Sequence, residues 1–153
     1  MLHRRFLLAS LGLAMLGTAA LAAPPPAARS GGVSVENAWV PLPPPGAEVA
    51  AAYFTLRNDG HAPVVLVEVS SPLAADAMLH ETTVVNGISR MRMLERLTIP
   101  PGRSVTLRPE GLHVMLHSVS KTLAPGDTVP LVLRFANGRT IRISARVRPI
   151  GSE

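Results

Sequence analysis

Four methionines and four histidines follow residue 22 of this 153-residue chain, and seven of the eight fall between positions 78 and 117. They are Met78, His80, Met91, Met93, His113, Met115 and His117; only His61 lies outside. Thioether sulfur and imidazole nitrogen are side-chain donors that bind a soft metal ion without a thiol. The chain has no cysteine at all. That removes a disulfide scaffold, a Cys-ligated zinc site, an iron–sulfur site and thiol catalysis. It also removes a blue-copper electron-transfer centre, whose trigonal site needs a thiolate.

The spacing narrows the set. In the segment 112–119, His113, Met115 and His117 alternate with Leu112, Val114 and Leu116, so a strand there puts the two groups on opposite faces. A core methionine would sit with the leucines, whereas Met115 sits with the histidines. Asn86-Gly87 lies between two β-rich runs and predicts a tight hairpin, because a type I′ turn needs positive φ at both central residues. The hairpin returns the His80 strand beside the Met91 strand, where His80 and Met91 can converge with His113 and Met115. Two imidazoles and two thioethers suit Cu(I), a d¹⁰ ion that accepts tetrahedral N₂S₂ coordination. Zinc prefers thiolate, imidazole or carboxylate. Neutral ligands leave Cu⁺ its full charge and keep binding reversible, as a carrier requires.

Each neighbouring residue also has a plainer reading. Met93 shares a strand face with Met91, and Met78 with His80; both read as packing around the site rather than ligands. His117 continues the His113/Met115 face as an auxiliary position. His61, in an Asn-Asp-Gly-His turn, reads as surface. Glu81 points away from His80 if the strand is regular. No nucleophile–base set is supported, and Ser118 and Ser120 near His117 form a pattern common by chance, so no enzyme is expected. The rival to a copper carrier is a copper-independent exported β-sandwich interaction module. It requires Met91 and Met115 to be buried and the two histidines to be far apart.

The elements that must position these residues are short strands. Val129, Leu131, Leu133 and Phe135 alternate with Pro130, Val132 and Arg134, and Ile141, Ile143, Ala145 and Val147 alternate with four polar residues. Alternation of this kind marks half-buried strands. Further strands are expected over 33–40, 50–57, 64–70, 78–85, 88–94, 104–107 and 112–119. Turn signals such as Asn58-Asp59-Gly60, Pro100-Pro101-Gly102, Pro125-Gly126-Asp127 and Asn137-Gly138 separate them. Trp39, Tyr53 and Phe54 are expected in the core. Arg139, Arg142, Arg146 and Arg148 are expected on a solvated sheet face, with a docking patch for an acidic partner as the weaker reading. The sum is all-β: a single antiparallel β-sandwich.

Residues 1–22 read as a cleavable signal peptide, with Arg4 and Arg5 before a mostly apolar run and Ala20-Leu21-Ala22 at the cleavage point. Both the Sec and twin-arginine routes are compatible, and an uncleaved membrane anchor is the competing reading. With no cysteine at the cleavage site, a lipoprotein is not expected. Residues 23–32 form a Pro/Ala-rich linker, and 33–149 the copper-binding domain. Residues 1–22 hold two of the 15 basic residues and none of the 10 acidic ones. The remainder therefore carries 13 against 10, or +3, too little and too dispersed for nucleic acid. A periplasmic monomer with no membrane insertion of the mature chain is expected.

The pattern His80, ten residues, Met91, twenty-one residues, His113-x-Met115 resembles the H-x₁₀-M-x₂₁-H-x-M signature of the periplasmic PCu(A)C-type copper chaperones. Ala51-Ala52-Tyr53-Phe54-Thr55-Leu56, Leu79-His80-Glu81, Ile99-Pro100-Pro101-Gly102, His113-Val114-Met115-Leu116 and Gly126-Asp127-Thr128-Val129-Pro130-Leu131 extend the likeness over about residues 34–148. The resemblance implies a cupredoxin-like sandwich holding one Cu(I) through His80, Met91, His113 and Met115. It implies copper delivery to cytochrome c oxidase, at its Cu(A) centre or in a related terminal oxidase, with an oxidase subunit or another periplasmic copper chaperone as partner. The chain departs from the pattern at Thr82 and His117, where relatives often carry Met. It also lacks the His/Met-rich tail of some relatives.

Overall fold

Alternation along the chain becomes strand structure almost throughout. The computed structural model describes residues 28–151, so the expected signal peptide and residues 23–27 lie outside the described residues. Among the described residues eleven strands are formed: β1 Ala28–Ser30, β2 Val33–Pro41, β3 Ala50–Asn58, β4 Val64–Ser70, β5 Ala74–Val85, β6 Ile88–Leu94, β7 Leu97–Ile99, β8 Ser104–Thr106, β9 Leu112–Val119, β10 Thr128–Phe135 and β11 Thr140–Arg148. No helix of the described residues is long and apolar enough to cross a membrane.

The strands are hydrogen-bonded in the order β6-β5-β9-β3-β2-β11-β10-β4-β7, with β1 beside β2 and β8 beside β3. Strand β3 joins the two halves: Ala50–Ala52 pair with β9, and the rest pairs with β2 and β8. The inward faces of both halves share one core. Leu79, Val114 and Leu116 come from the β5–β9 side, and Leu66, Leu131, Leu133 and Phe135 from the other. In β11 the alternation is complete, with Ile141, Ile143, Ala145 and Val147 inward and Arg142 and Arg146 in solvent. Phe54 is fully buried and Tyr53 nearly so.

Four features depart from the sequence reading. One pairing is parallel: β2 runs beside β11 in the same direction, with Trp39 opposite Arg146. A parallel pair needs a long crossover, and here everything between the first and last long strands supplies it. Second, Ala28–Ser30 pair with β2, so the end of the expected linker is a strand. Third, β5 starts at Ala74 rather than at residue 78, and Leu97–Ile99 form an additional short strand, β7, paired with β4.

Fourth, Trp39 is only half-buried. Asn37 stands at φ 53° within β2, where the register with β3 shifts between Glu36 and Trp39. A bulge inserts one residue and reverses which side chains face the core. Val33 and Val35 point inward before it, and Ala38 and Val40 after it. Trp39 is thereby turned outward onto Tyr53, with ring centroids 4.9 Å apart, and Arg148 lies 5.9 Å over it.

Candidate metal site

The β5–β6 hairpin is closed by Asn86 and Gly87, at φ 52° and 76°, with Val85 opposite Ile88. Positive φ at both positions is what a type I′ turn requires. The register then follows from the turn: Thr82 stands opposite Met91 and His80 opposite Met93. On the other side of β5, His80 stands opposite His113 and Met78 opposite Met115. Side chains of directly opposed residues lie on the same face of a sheet. One outer face thus carries Met91 and Met93 on β6, Met78 and His80 on β5, and His113 and Met115 on β9.

The two histidines are the centre of this face. Their ring centroids are 5.7 Å apart and their planes are 80° to one another. His113 is buried to 5% exposure, although its face points away from the leucine core. Its Nδ1–H donates to the Gly111 carbonyl at 3.0 Å, since a carbonyl can only accept. That bond fixes the tautomer and leaves the Nε2 lone pair free, the arrangement a metal-binding imidazole uses. The same carbonyl accepts the Thr82 N–H at 3.0 Å, so one oxygen ties β5 to the His113 ring.

His80 is different. Its Nδ1 is buried and has no hydrogen-bond partner. A buried polar atom left unpaired is costly, and a cation that accepts its lone pair would remove the deficit. Burial pushes the His80 imidazole below its ordinary pKa, and the neighbouring His113 and His117 push in the same direction. All three favour the neutral ring, the form that ligates metal.

The structure brings all four sequence-predicted residues onto this face, but not in equal positions. His80 and His113 form one row. Met91 lies one row to one side of it and Met115 one row to the other. Met91 is 54% exposed, and Met115 half-buried. The rival module expected buried methionines and separated histidines; Met91 is open to solvent and the imidazoles are adjacent. Met93, read as packing, is 59% exposed and directly opposite His80. The hairpin arithmetic could have found it: a two-residue turn at 86 and 87 fixes the partner of His80 as residue 93. Met78 is likewise in register with Met115 and half-buried. His117 stands opposite Asp76, two rows from the histidine pair, and His61 is exposed in its turn.

Among the described residues no three His, Cys, Asp or Glu side chains group to hold a metal ion. The other metal-donor side chains on this face are thioethers, those of Met78, Met91, Met93 and Met115. Glu81 points the other way, as expected, and pairs with Arg92 across the hairpin at 2.6 Å.

The fold defines a class. Solved structures of the same fold include the copper-bound PCuAC domain from PmoF2, with a TM-score of 0.67 and 24% identity over 80% of this chain and 97% of that one. The Cu(I) form of DR1885 from Deinococcus radiodurans matches at 38% identity and a TM-score of 0.62, over 75% of this chain and 77% of that one. The family described as "Putative lipoprotein LpqE-like" matches residues 33–147, and the chain belongs to it. A relative from Leifsonia xyli subsp. xyli, "Putative lipoprotein Lxx21020", is 32% identical over 124 residues, 80% of this chain and 74% of its own length.

Proposed function

We propose that this protein is an exported copper carrier that binds one Cu(I) ion through His80, Met91, His113 and Met115. The observation that carries the reading is the in-register pairing of His80 with His113 on a sheet face that also carries Met78, Met91, Met93 and Met115. Two neutral imidazoles and two thioethers match the softness and the tetrahedral tolerance of Cu(I). The fixed His113 tautomer and the unpartnered His80 Nδ1 fit a ligand role for both rings. Similarity at 38% identity to a Cu(I)-bound protein supports the same cargo.

The carrier acts by ligand exchange. The site is a shallow sheet face rather than an enclosed pocket, and Met91 is more than half exposed. An incoming donor from a recipient can reach the metal while the histidines still hold it. Recipients are a terminal oxidase subunit during assembly, with the Cu(A) centre of cytochrome c oxidase as the leading candidate, or another periplasmic copper chaperone. Export to the periplasm through residues 1–22 is supported by the lipoprotein names of the family and the relative, although this sequence has no cysteine to carry a lipid.

Anaerobic titration against a chromogenic Cu(I) chelator tests the binding. One equivalent is expected to be held, and His113→Ala is expected to weaken binding by about a hundredfold or more. Failure of the wild-type chain to compete would sink the proposal. Delivery is tested in cells: deletion is expected to lower oxidase activity, with rescue by added copper.

A further inference from the structure

We infer that Met93 is a second thioether for the same Cu(I), exchanging with Met91 for one coordination position; this rests on the copper-carrier reading above. The register carries the inference. Met93 is the residue directly opposite His80, whereas Met91 is opposite Thr82 and reaches His80 only along a diagonal. Directly opposed Cβ atoms lie about 4.5–5.5 Å apart, and diagonal neighbours about 7–8 Å. Backbone geometry therefore brings Met93 at least as near the histidine pair as Met91.

Packing does not account for Met93. At 59% exposed it buries too little surface to act as a core filler, and an edge strand normally presents charge at such positions. Strand β6 is the edge of the sheet, with β5 as its sole neighbour along the strand order. Among the described residues no further strand is hydrogen-bonded to β6; Met93 borders an open cavity beside Val67–Val69 of β4, and a thioether side chain with three rotatable bonds samples many positions. Met91 and Met93 are two residues apart, so both project from the same face of β6.

Exchange is balanced: one Cu–S bond forms as another breaks, with no change in charge, oxidation state or proton count. His80, His113 and Met115 hold the ion throughout. A carrier with an interchangeable thioether at its exposed side can free one coordination position to a recipient without leaving copper under-coordinated.

The test uses protein labelled with ¹³C at the methionine methyl groups, titrated anaerobically with Cu(I) alone, together with competitive affinities of leucine variants. Both the Met91 and Met93 methyl signals are expected to shift over the first equivalent. Met91→Leu and Met93→Leu are each expected to weaken binding by less than about tenfold, and the double variant by about a hundredfold or more, the non-additivity of two groups that substitute for each other. Retained amide spectra of the apo variants establish that they fold. A still Met93 methyl, or a Met91→Leu loss as large as that of the double variant, overturns the exchange while leaving the copper site standing. Absence of any methionine methyl shift in the wild-type protein, together with failure to compete for Cu(I), overturns the copper reading itself.

Discussion

His80 and His113 share one rung of the β5–β9 ladder, yet only His113 has its Nδ1 hydrogen-bonded. One ring is fixed in tautomer by Gly111 before any metal arrives; the other retains a buried, unpaired nitrogen. On the copper-carrier proposal, this asymmetry would make His113 the preset ligand and His80 the one whose lone pair is still to be satisfied.

The tautomer is directly measurable. In the apo protein, ¹⁵N spectra of the His113 ring are expected to show a protonated Nδ1 and an unprotonated Nε2. Cu(I) is expected to shift Nε2. A metal-induced shift at Nδ1 instead would mean that the Gly111 bond breaks on loading.

Glu81 is adjacent to His80 in sequence but on the opposite face, bound to Arg92. Arg92 is largely exposed and Glu81 partly so, and a solvent-screened pair of this kind contributes no more than about 1 kcal/mol. Glu81→Gln is therefore expected to leave the Cu(I) dissociation constant within about threefold of wild type, by the same competition assay. A larger change would show that the carboxylate reaches the metal face.

Gly87 sets the hairpin register. It stands at φ 76°, and an added Cβ there meets nothing within 4 Å. A substitution consequently acts through backbone strain alone, of order 1–2 kcal/mol for an L-residue in this region. Gly87→Val is expected to speed amide exchange in β6 and weaken Cu(I) binding, with only a small shift in the global unfolding midpoint. Unchanged affinity would show that the turn does not position the β6 thioethers.

Asn58 anchors the scaffold at the far end of β3. It is 1% exposed; its Nδ2 donates to the Ala62 and Ile99 carbonyls at 2.7 and 3.0 Å, and its Oδ1 accepts the Gly60 N–H at 2.9 Å. Asn58→Ala leaves all three groups without that partner and is expected to cost about 2–4 kcal/mol in denaturant unfolding. A loss below about 0.5 kcal/mol would mean that water replaces the amide.

The parts legible in the sequence are those governed by local rules. Alternation placed β10 and β11 and assigned Arg142 and Arg146 to solvent, because a period of two needs no knowledge of the partner strand. Asn86-Gly87 announced its own turn. Trp39 departs from its expected core position because a single left-handed Asn37 reverses the phase of β2; asparagine tolerates that conformation, but one Asn in a β-rich run does not by itself mark a bulge. The parallel β2–β11 pairing depends on contacts between distant parts of the chain and leaves no trace in either strand. Met93 was within reach of simple register counting, but its residue type suggested packing, and only its exposure in the folded sheet removes that explanation.

The edge position of β6 has a colloidal consequence. Val84, Val85, Ile88, Met91 and Met93 are all exposed along one hairpin, and an apolar edge strand is a template on which a second copy can build a continuous sheet. Arg90 and Arg92 interrupt that strip at alternate positions, both in solvent. Like charges directly facing one another across an edge-to-edge stack disfavour the stack. The same margin that offers methionines to the proposed soft ion is kept by the intervening arginines from becoming adhesive to itself.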